Sequence, residues 1–458
     1  VLPEIDRTES GCQFTSALFS SLRQFLQRQS VQAVVGNLGW LLGARIGRLV
    51  LSTFIGFWVA RYLGPVRFGL LSYCIAWVTL FGVLPGLGLE AVVKRRFISQ
   101  PEEEATLLAT TVGLRLGATM IAAACFASAT WFWVAAGEER RLMTILCILL
   151  LDPLWSSWDH WFQAKLWARL SVMAQIGSLV VSAALRIVLI FLRAPVAAFA
   201  AAVVVESVVG GMLWVGLAKN KGLRFSWRNY SPTWGRKLLA DSWPLMLSTL
   251  MVLIYMRIDL IMLRSMAGER AVGIYSAATR FSEMAYFLPV ALASSFLPSL
   301  LRQRAAAPGQ YEEALQRYFD LSAGCAYALT LPIMLAAPWL IRLAYGSAYQ
   351  EAGPILAVHV WANVFVFLGV ARGQFLVNES LTRFYLVATA TGAAMNILLN
   401  LILIPRIGAM GAAVATVASY ATASWISSYL HPAVRTTAAR QTRALLLPIT
   451  GWRYLSHP

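Results

Sequence analysis

The sequence predicts an all-α polytopic membrane protein, with twelve transmembrane helices in two six-helix bundles related by a pseudo-two-fold axis along the membrane normal. Three observations predict it. The 458-residue chain is 59% hydrophobic and only 13% charged, against about 25% charged in soluble domains. Its apolar residues gather into twelve runs, each on the scale of the roughly 20 residues that cross a bilayer as a helix. A motif that opens the second run returns halfway along the chain, opening the eighth.

The runs are centred on residues 37–60, 67–93, 107–135, 141–162, 171–192, 195–218, 242–264, 272–300, 319–344, 354–376, 382–404 and 409–430. Pro85, Pro153, Pro244, Pro289 and Pro332 fall inside them, which membrane helices tolerate when neighbours satisfy the freed backbone groups. Ahead of the first run, Phe14, Leu18, Leu22, Phe25 and Leu26 share one helical face, the pattern of an interfacial helix. The opening VLPEIDRTESGCQ does not read as a cleavable signal peptide, so the first span is expected to stay in the membrane.

Positive charge sets the expected orientation. With a cytoplasmic N-terminus, the inside loops carry fifteen Lys and Arg and the two tails seven, against nine outside. Both termini are therefore expected in the cytoplasm. The formal charge of +17 reflects this bias and seven arginines within spans, so it requires no nucleic acid. The longest inside connection, KNKGLRFSWRNYSPTWGRKLLA, is basic and Trp-bearing, suited to an anionic lipid surface. It divides the spans six and six. The expected organisation is an N-terminal segment 1–30, a first bundle 31–218, a basic linker 219–240, a second bundle 241–430 and a cytoplasmic tail 431–458.

The repeat supports that division. GPVRFGLLS (Gly64 to Ser72) and GERAVGIYS (Gly268 to Ser276) share Gly, Gly and Ser in register, and each follows the first span of its half. Even span numbers make the two copies run in the same direction, with a binding site expected between them.

The in-span arginines are Arg45, Arg48, Arg115, Arg186, Arg257, Arg280 and Arg372. Each costs about 2.5–3.5 kcal/mol at mid-bilayer. Seven facing lipid would cost on the order of 20 kcal/mol, more than a marginally stable fold absorbs. Arg115 and Arg372 lie near cytoplasmic ends, within reach of snorkelling. Arg280 and Glu283 are spaced for a pair on one helix face, and Arg186 is placed to meet Glu206 of the next span. Arg257 and Asp259, two apart, point to different faces. Arg45 and Arg48 share one face mid-span, with no acid in their own helix. Either an acid from another span (Asp152, Asp159, Asp259 or Glu283) pairs with them, or they line an open cationic cavity that holds an anion. Guanidinium suits the second role because it stays charged and grips phosphate through two parallel hydrogen bonds.

Several stretches then point to one family. ARYLGPVRFGLLSY, WDHWFQAKLW, VGIYSAATRFSE, LAYGSAYQEAGPIL and MNILLNLILIPRIGAMGAAVAT follow in order. Together they resemble bacterial polysaccharide-biosynthesis flippases, the Wzx-type O-antigen and exopolysaccharide transporters of the multidrug/oligosaccharidyl-lipid/polysaccharide exporter superfamily. The resemblance covers residues from about 31 to 430; Ala164 stands where the family pattern leads one to expect Gly. It implies a substrate, an oligosaccharide on polyprenyl pyrophosphate, moved from the inner to the outer leaflet of the bacterial plasma membrane by alternating access. It also implies membrane lipids, and a polysaccharide polymerase with its chain-length machinery, as partners. No cofactor is implied, and no GxxxxGK[ST] nucleotide loop is present.

On this reading Arg45 and Arg48 hold the pyrophosphate, with Arg257, Arg280, Arg372 and Asp152 as further substrate-binding candidates. Asp259, Glu283 and His359 are the candidates for coupling to an ion gradient, because each is ionisable within a span. Trp155, Trp158 and Trp161 recur every three residues and read either as an interfacial aromatic belt or as a platform for sugar rings. Five scattered cysteines support neither a disulfide framework nor a metal site. Two other functions compete. A cation-coupled multidrug exporter of the same superfamily would need acids in its cavity, where the first span has only arginines. A membrane-bound glycan polymerase or ligase would need a substantial outer loop, and no loop here exceeds about 20 residues. The protein is accordingly expected not to be an enzyme.

Overall fold

The computed structural model describes residues 29–450 apart from 224, 294–295, 297–299, 301–307 and 379–380, with side chains described from residue 47 onward except at a few further positions. The interfacial helix expected from Phe14 to Leu26 lies outside the described residues, as does the end of the tail.

Every regular element among the described residues is helical. In chain order these are α1 (Gln29–Phe81), α2 (Val83–Gly86), α3 (Leu89–Ser99), α4 (Glu104–Trp133), α5 (Glu138–Leu146), α6 (Asp152–Ala164), α7 (Ala168–Phe191) and α8 (Val196–Asn220). After the linker come α9 (Pro232–Glu283), α10 (Pro308–Tyr345), α11 (Ala352–His359), α12 (Ala362–Asn378), α13 (Thr382–Ser424) and α14 (Arg435–Leu445). Among the described residues, nine helical segments are long and apolar enough to cross a membrane. The chain is a multi-pass membrane protein. Its exposed side chains include Trp58, Trp131, Phe132, Trp133, Leu335 and Trp339, which suit a lipid surround and not water.

Three of the nine segments, of 53, 62 and 48 residues, are far longer than one crossing needs. Each breaks at a glycine: Gly64 (φ 71°), Gly268 (φ 83°) and Gly408 (φ 57°). That left-handed backbone costs an L side chain energy and costs glycine little. Gly64 and Gly268 are the first residues of the two repeat copies, and they share one conformation, with ψ 169° and 177°.

The copies also meet. A Cβ on Gly69 would stand 2.0 Å from the Glu269 carbonyl oxygen, and one on Gly273 would stand 1.9 Å from that of Pro65. Each glycine thus receives the backbone of the other copy, at matching positions. Ala60, Leu71, Ala277 and Ala278 extend this contact into the main buried cluster.

The fourth span is not continuous. A 3-10 segment, Cys147–Leu151, interrupts it, and the helix restarts at Asp152 with Pro153 at its first turn, where a missing N–H costs nothing. The tail is more ordered than a polar end suggests. In α14, Thr437, Ala438, Gln441 and Ala444 are buried, and Gln441 donates to the carbonyls of Leu368 and Ser424.

Candidate functional site

Two cavities lie where elements of both halves of the chain face each other. The smaller, of about 250 Å³, is bordered by Gly56, Ser72 and Thr79 from α1, Arg186 from α7, and Arg257, Ser276, Arg280 and Glu283 from α9. Ser72 and Ser276 are the last residues of the two repeat copies, so the repeat contributes a hydroxyl from each half.

Three arginines border this pocket, and they are not equivalent. Arg186 donates to Glu206 at 2.9 Å, the pair expected from sequence. Arg257 donates to both oxygens of Glu283, at 3.2 and 3.1 Å. The expected Arg280–Glu283 pair is therefore replaced. Glu283 instead takes the guanidinium 26 residues earlier in α9, beyond the Gly268 break, where two parallel hydrogen bonds fit. Arg280 is exposed and has no acidic partner among the described residues. Its guanidinium lies over Gly56, whose missing side chain makes the room: a Cβ there would be 2.6 Å from Nη1. A guanidinium whose donors are free among the described residues, beside two neutralised ones, has the chemistry to grip a phosphate-like anion.

The larger cavity, of about 1000 Å³, is bordered by Glu90, Lys94, Arg115, Asp152, Asp159, His160 and Gln163 from the first half and by Leu245, Ser248, Thr249 and Tyr385 from the second. Thr79 borders both cavities. Asp152 is exposed to this space and accepts from Ser207.

The other candidates lie elsewhere. The side chain of Arg45 lies outside the described residues. Arg48 borders neither cavity; it is exposed and donates to Gln175 Oε1 of α7 at 2.6 Å, with an amide and not an acid as partner. Arg372 does not reach the pocket and does not snorkel. It is 2% exposed and donates to Ser427 and Ser428 Oγ at 2.8 Å and to the Ala423 carbonyl at 2.6 Å. It caps the carboxyl end of α13, where a cation meets the helix dipole. Arg115, also 2% exposed, is held alike by the Pro153 carbonyl and by Ser156 and Ser157.

Asp259 is 2% exposed and accepts from Tyr275 Oη, from Thr416 Oγ1 at 3.2 Å and from the Leu260 amide at 2.9 Å. His359, equally buried, has its Nδ1 2.6 Å from Ser282 Oγ. The tryptophans of α6 form neither of the expected arrangements. Trp158 and Trp161 are buried at 7% and 3% exposure, Trp161 donates to Glu104 at 2.7 Å, and Trp155 rests on Gly211. They pack the interior of the first half.

Residues 34–302 match the family model described as polysaccharide biosynthesis protein. The chain belongs to this family. It also has the fold of known membrane transporters. An inward-facing multidrug resistance MATE family transporter of the MOP superfamily superposes with a TM-score of 0.68 at 18% identity, covering 86% of this chain and 96% of its own. The lipid II flippase MurJ, in an inward closed conformation, does so with 0.66 at 13% identity, covering 92% and 93%. A MOP superfamily transporter from Pyrococcus furiosus, described as having a binding pocket of reverse polarity, gives 0.64 at 17% identity, covering 93% and 98%. No curated protein matches the chain by sequence. Fold and family together make this a membrane protein of polysaccharide biosynthesis with a flippase or transporter architecture.

Proposed function

We propose that this protein moves a polyprenyl-pyrophosphate-linked oligosaccharide, the repeat unit of an O-antigen, capsule or exopolysaccharide, from the inner to the outer leaflet of a bacterial plasma membrane. The observation that carries the reading is the state of Arg280. It is a cation exposed in a pocket between the two halves of the chain, without an acidic partner among the described residues. An ionisable side chain within a membrane span that faces a cavity and has no counter-charge is expensive and points to a functional site. Here the partner is taken to be the pyrophosphate of the carrier, with Arg257 and Arg186 already neutralised by Glu283 and Glu206.

Alternating access is the mode of movement, between bundles 31–218 and 241–430. The reciprocal contact of Gly69 with Glu269 and of Gly273 with Pro65 supports a two-fold relation between them. The glycine breaks in the three long segments supply the turns that twelve crossings need. Both termini then face the cytoplasm. Ion coupling is assigned to Asp259, the buried carboxylate whose partners are neutral donors, because Glu283 is engaged by Arg257.

The test is complementation of a flippase-null strain, scored by surface glycan and by carrier-linked precursor on the inner leaflet. At matched membrane abundance, Arg280→Ala is expected to strand precursor inside, and Arg280→Lys to restore part of the export. Full export by Arg280→Ala would overturn the assignment. Drug efflux by the same cells, with no glycan defect, would favour the multidrug reading.

A further inference from the structure

We propose that the larger cavity selects the glycan by charge, through a wall formed by Asp152, Asp159, His160 and Gln163 that accepts a neutral or amino sugar and repels a uronic acid. This rests on the pyrophosphate reading of the Arg280 pocket. Because Thr79 borders both cavities, an anion held at Arg280 places its substituent at the larger one. About 1000 Å³ is at the upper end of ordinary small-molecule sites, room for more than one sugar ring.

The two sides of this space differ. The second half contributes Leu245, Val252 and Leu253, the first half most of the charge. Among the carboxylates there, Glu90 is neutralised by Lys94 at 2.6 Å. Asp152 and Asp159 have no Lys or Arg within ion-pair distance among the described residues. Asp152 accepts from Ser207, and Asp159 from Ser171 and, at 2.7 Å, from Gln163. The Arg115 guanidinium is 2% exposed and turns its donors to the Pro153 carbonyl and two serines, which leaves its single charge set back behind the two carboxylates.

His160 is the second sign of a ligand. It is 5% exposed, and its Nε2 lies 3.3 Å from Arg115 Nη2. Guanidinium only donates, so Nε2 accepts and the ring proton sits on Nδ1. That Nδ1 has no partner among the described residues, although a buried donor left unpaired is costly. The wall thus offers two carboxylates to sugar hydroxyl or ammonium donors, with the unpaired His160 N–H buried behind them. A carboxylate on the sugar would instead meet two like charges in a confined space.

The test uses the purified full chain in lipid nanodiscs and three probes: undecaprenyl pyrophosphate alone, the same carrier bearing a neutral N-acetylglucosamine-containing disaccharide, and one in which glucuronate replaces the outer sugar. The neutral glycan is expected to bind about tenfold more tightly than the uronate. Asp152→Asn/Asp159→Asn should shrink that gap to about threefold or less, leaving the bare carrier unchanged. No gap in the wild type, a reversed gap, or a gap that survives the double substitution overturns the proposal. Failure of the wild type to bind the bare carrier overturns the pyrophosphate reading itself, and this one with it.

Discussion

Gly56 lies directly under the Arg280 guanidinium, so close that a Cβ at Gly56 would be 2.6 Å from Nη1 and 2.8 Å from Cζ. α1 thereby sets where the unpaired cation of α9 rests, and the two halves of the chain share one site. The clash would be with the far end of a flexible side chain, not with backbone. Gly56→Ala is therefore expected to fold and insert normally while displacing Arg280, and precursor export should fall by about tenfold, as for a catalytic-scale loss near 1.4 kcal/mol. Export assays beside a membrane-abundance control check this. Wild-type export by Gly56→Ala would show that the guanidinium can work from elsewhere.

Glu283 keeps Arg257 neutralised, so removing its charge should give the pocket a second cation without an acidic partner among the described residues. For Glu283→Gln, bare polyprenyl pyrophosphate is expected to bind more tightly and export to slow, because release becomes harder. Arg257→Ala should act in the opposite sense on binding and leave Glu283 facing Arg280. Either single change removes one partner of a half-buried pair and should cost about 1–3 kcal/mol of stability. Binding and thermal unfolding of the two variants and their double mutant separate the electrostatic effect from the structural one.

Much of this was legible in the sequence, for identifiable reasons. Hydrophobic run length marks membrane helices directly, and the repeat marked Gly64 and Gly268, Gly69 and Gly273, Ser72 and Ser276, all of which have a place at the break, the crossing or the pocket. The Arg186–Glu206 pair followed from adjacent antiparallel spans. Arg280–Glu283 failed because spacing along a helix says which residues can meet, not which competitor packs nearer. Gly56 carried no signal, since its partner is 224 residues away and the requirement is for empty space. α14 escaped because it is too polar for a membrane pattern; the spacing of Thr437, Ala438, Gln441 and Ala444 on one face was the signal available.

Arg372 should behave as a structural residue and not as a ligand for substrate. Its Nη groups are shared among Ser427, Ser428 and the Ala423 carbonyl, so Arg372→Ala removes three charge-assisted hydrogen bonds from a buried site and leaves a cavity. A loss of about 2–3 kcal/mol is expected, read as a lower unfolding temperature and less inserted protein. Affinity for the carrier, measured on the fraction that folds, should not change. A selective loss of binding in well-folded Arg372→Ala would return this residue to the site.

The repeat crossing makes a prediction about which face is closed. Besides the contacts of Gly69 and Gly273, Arg264 of α9 reaches Glu139 of α5 at 3.2 Å and Glu269 at 2.7 Å. Tyr349 donates to the Ala60 carbonyl at 2.8 Å. On the proposed orientation all of these lie at the outer ends of their spans, so they seal the pocket from outside. Outward opening must part Arg264 from Glu139 and slide the two glycine copies off each other. Ser276→Cys, in a background without other cysteines, is therefore expected to resist a membrane-impermeant maleimide added outside. Arg264→Ala should raise its labelling by weakening the seal. Gly69→Ala should raise it further, because the new methyl meets backbone at 2.0 Å, and overpacking of that kind costs about 1–3 kcal/mol. Strong outside labelling of the unmodified seal, or none in either variant, would show that the pocket opens by another route.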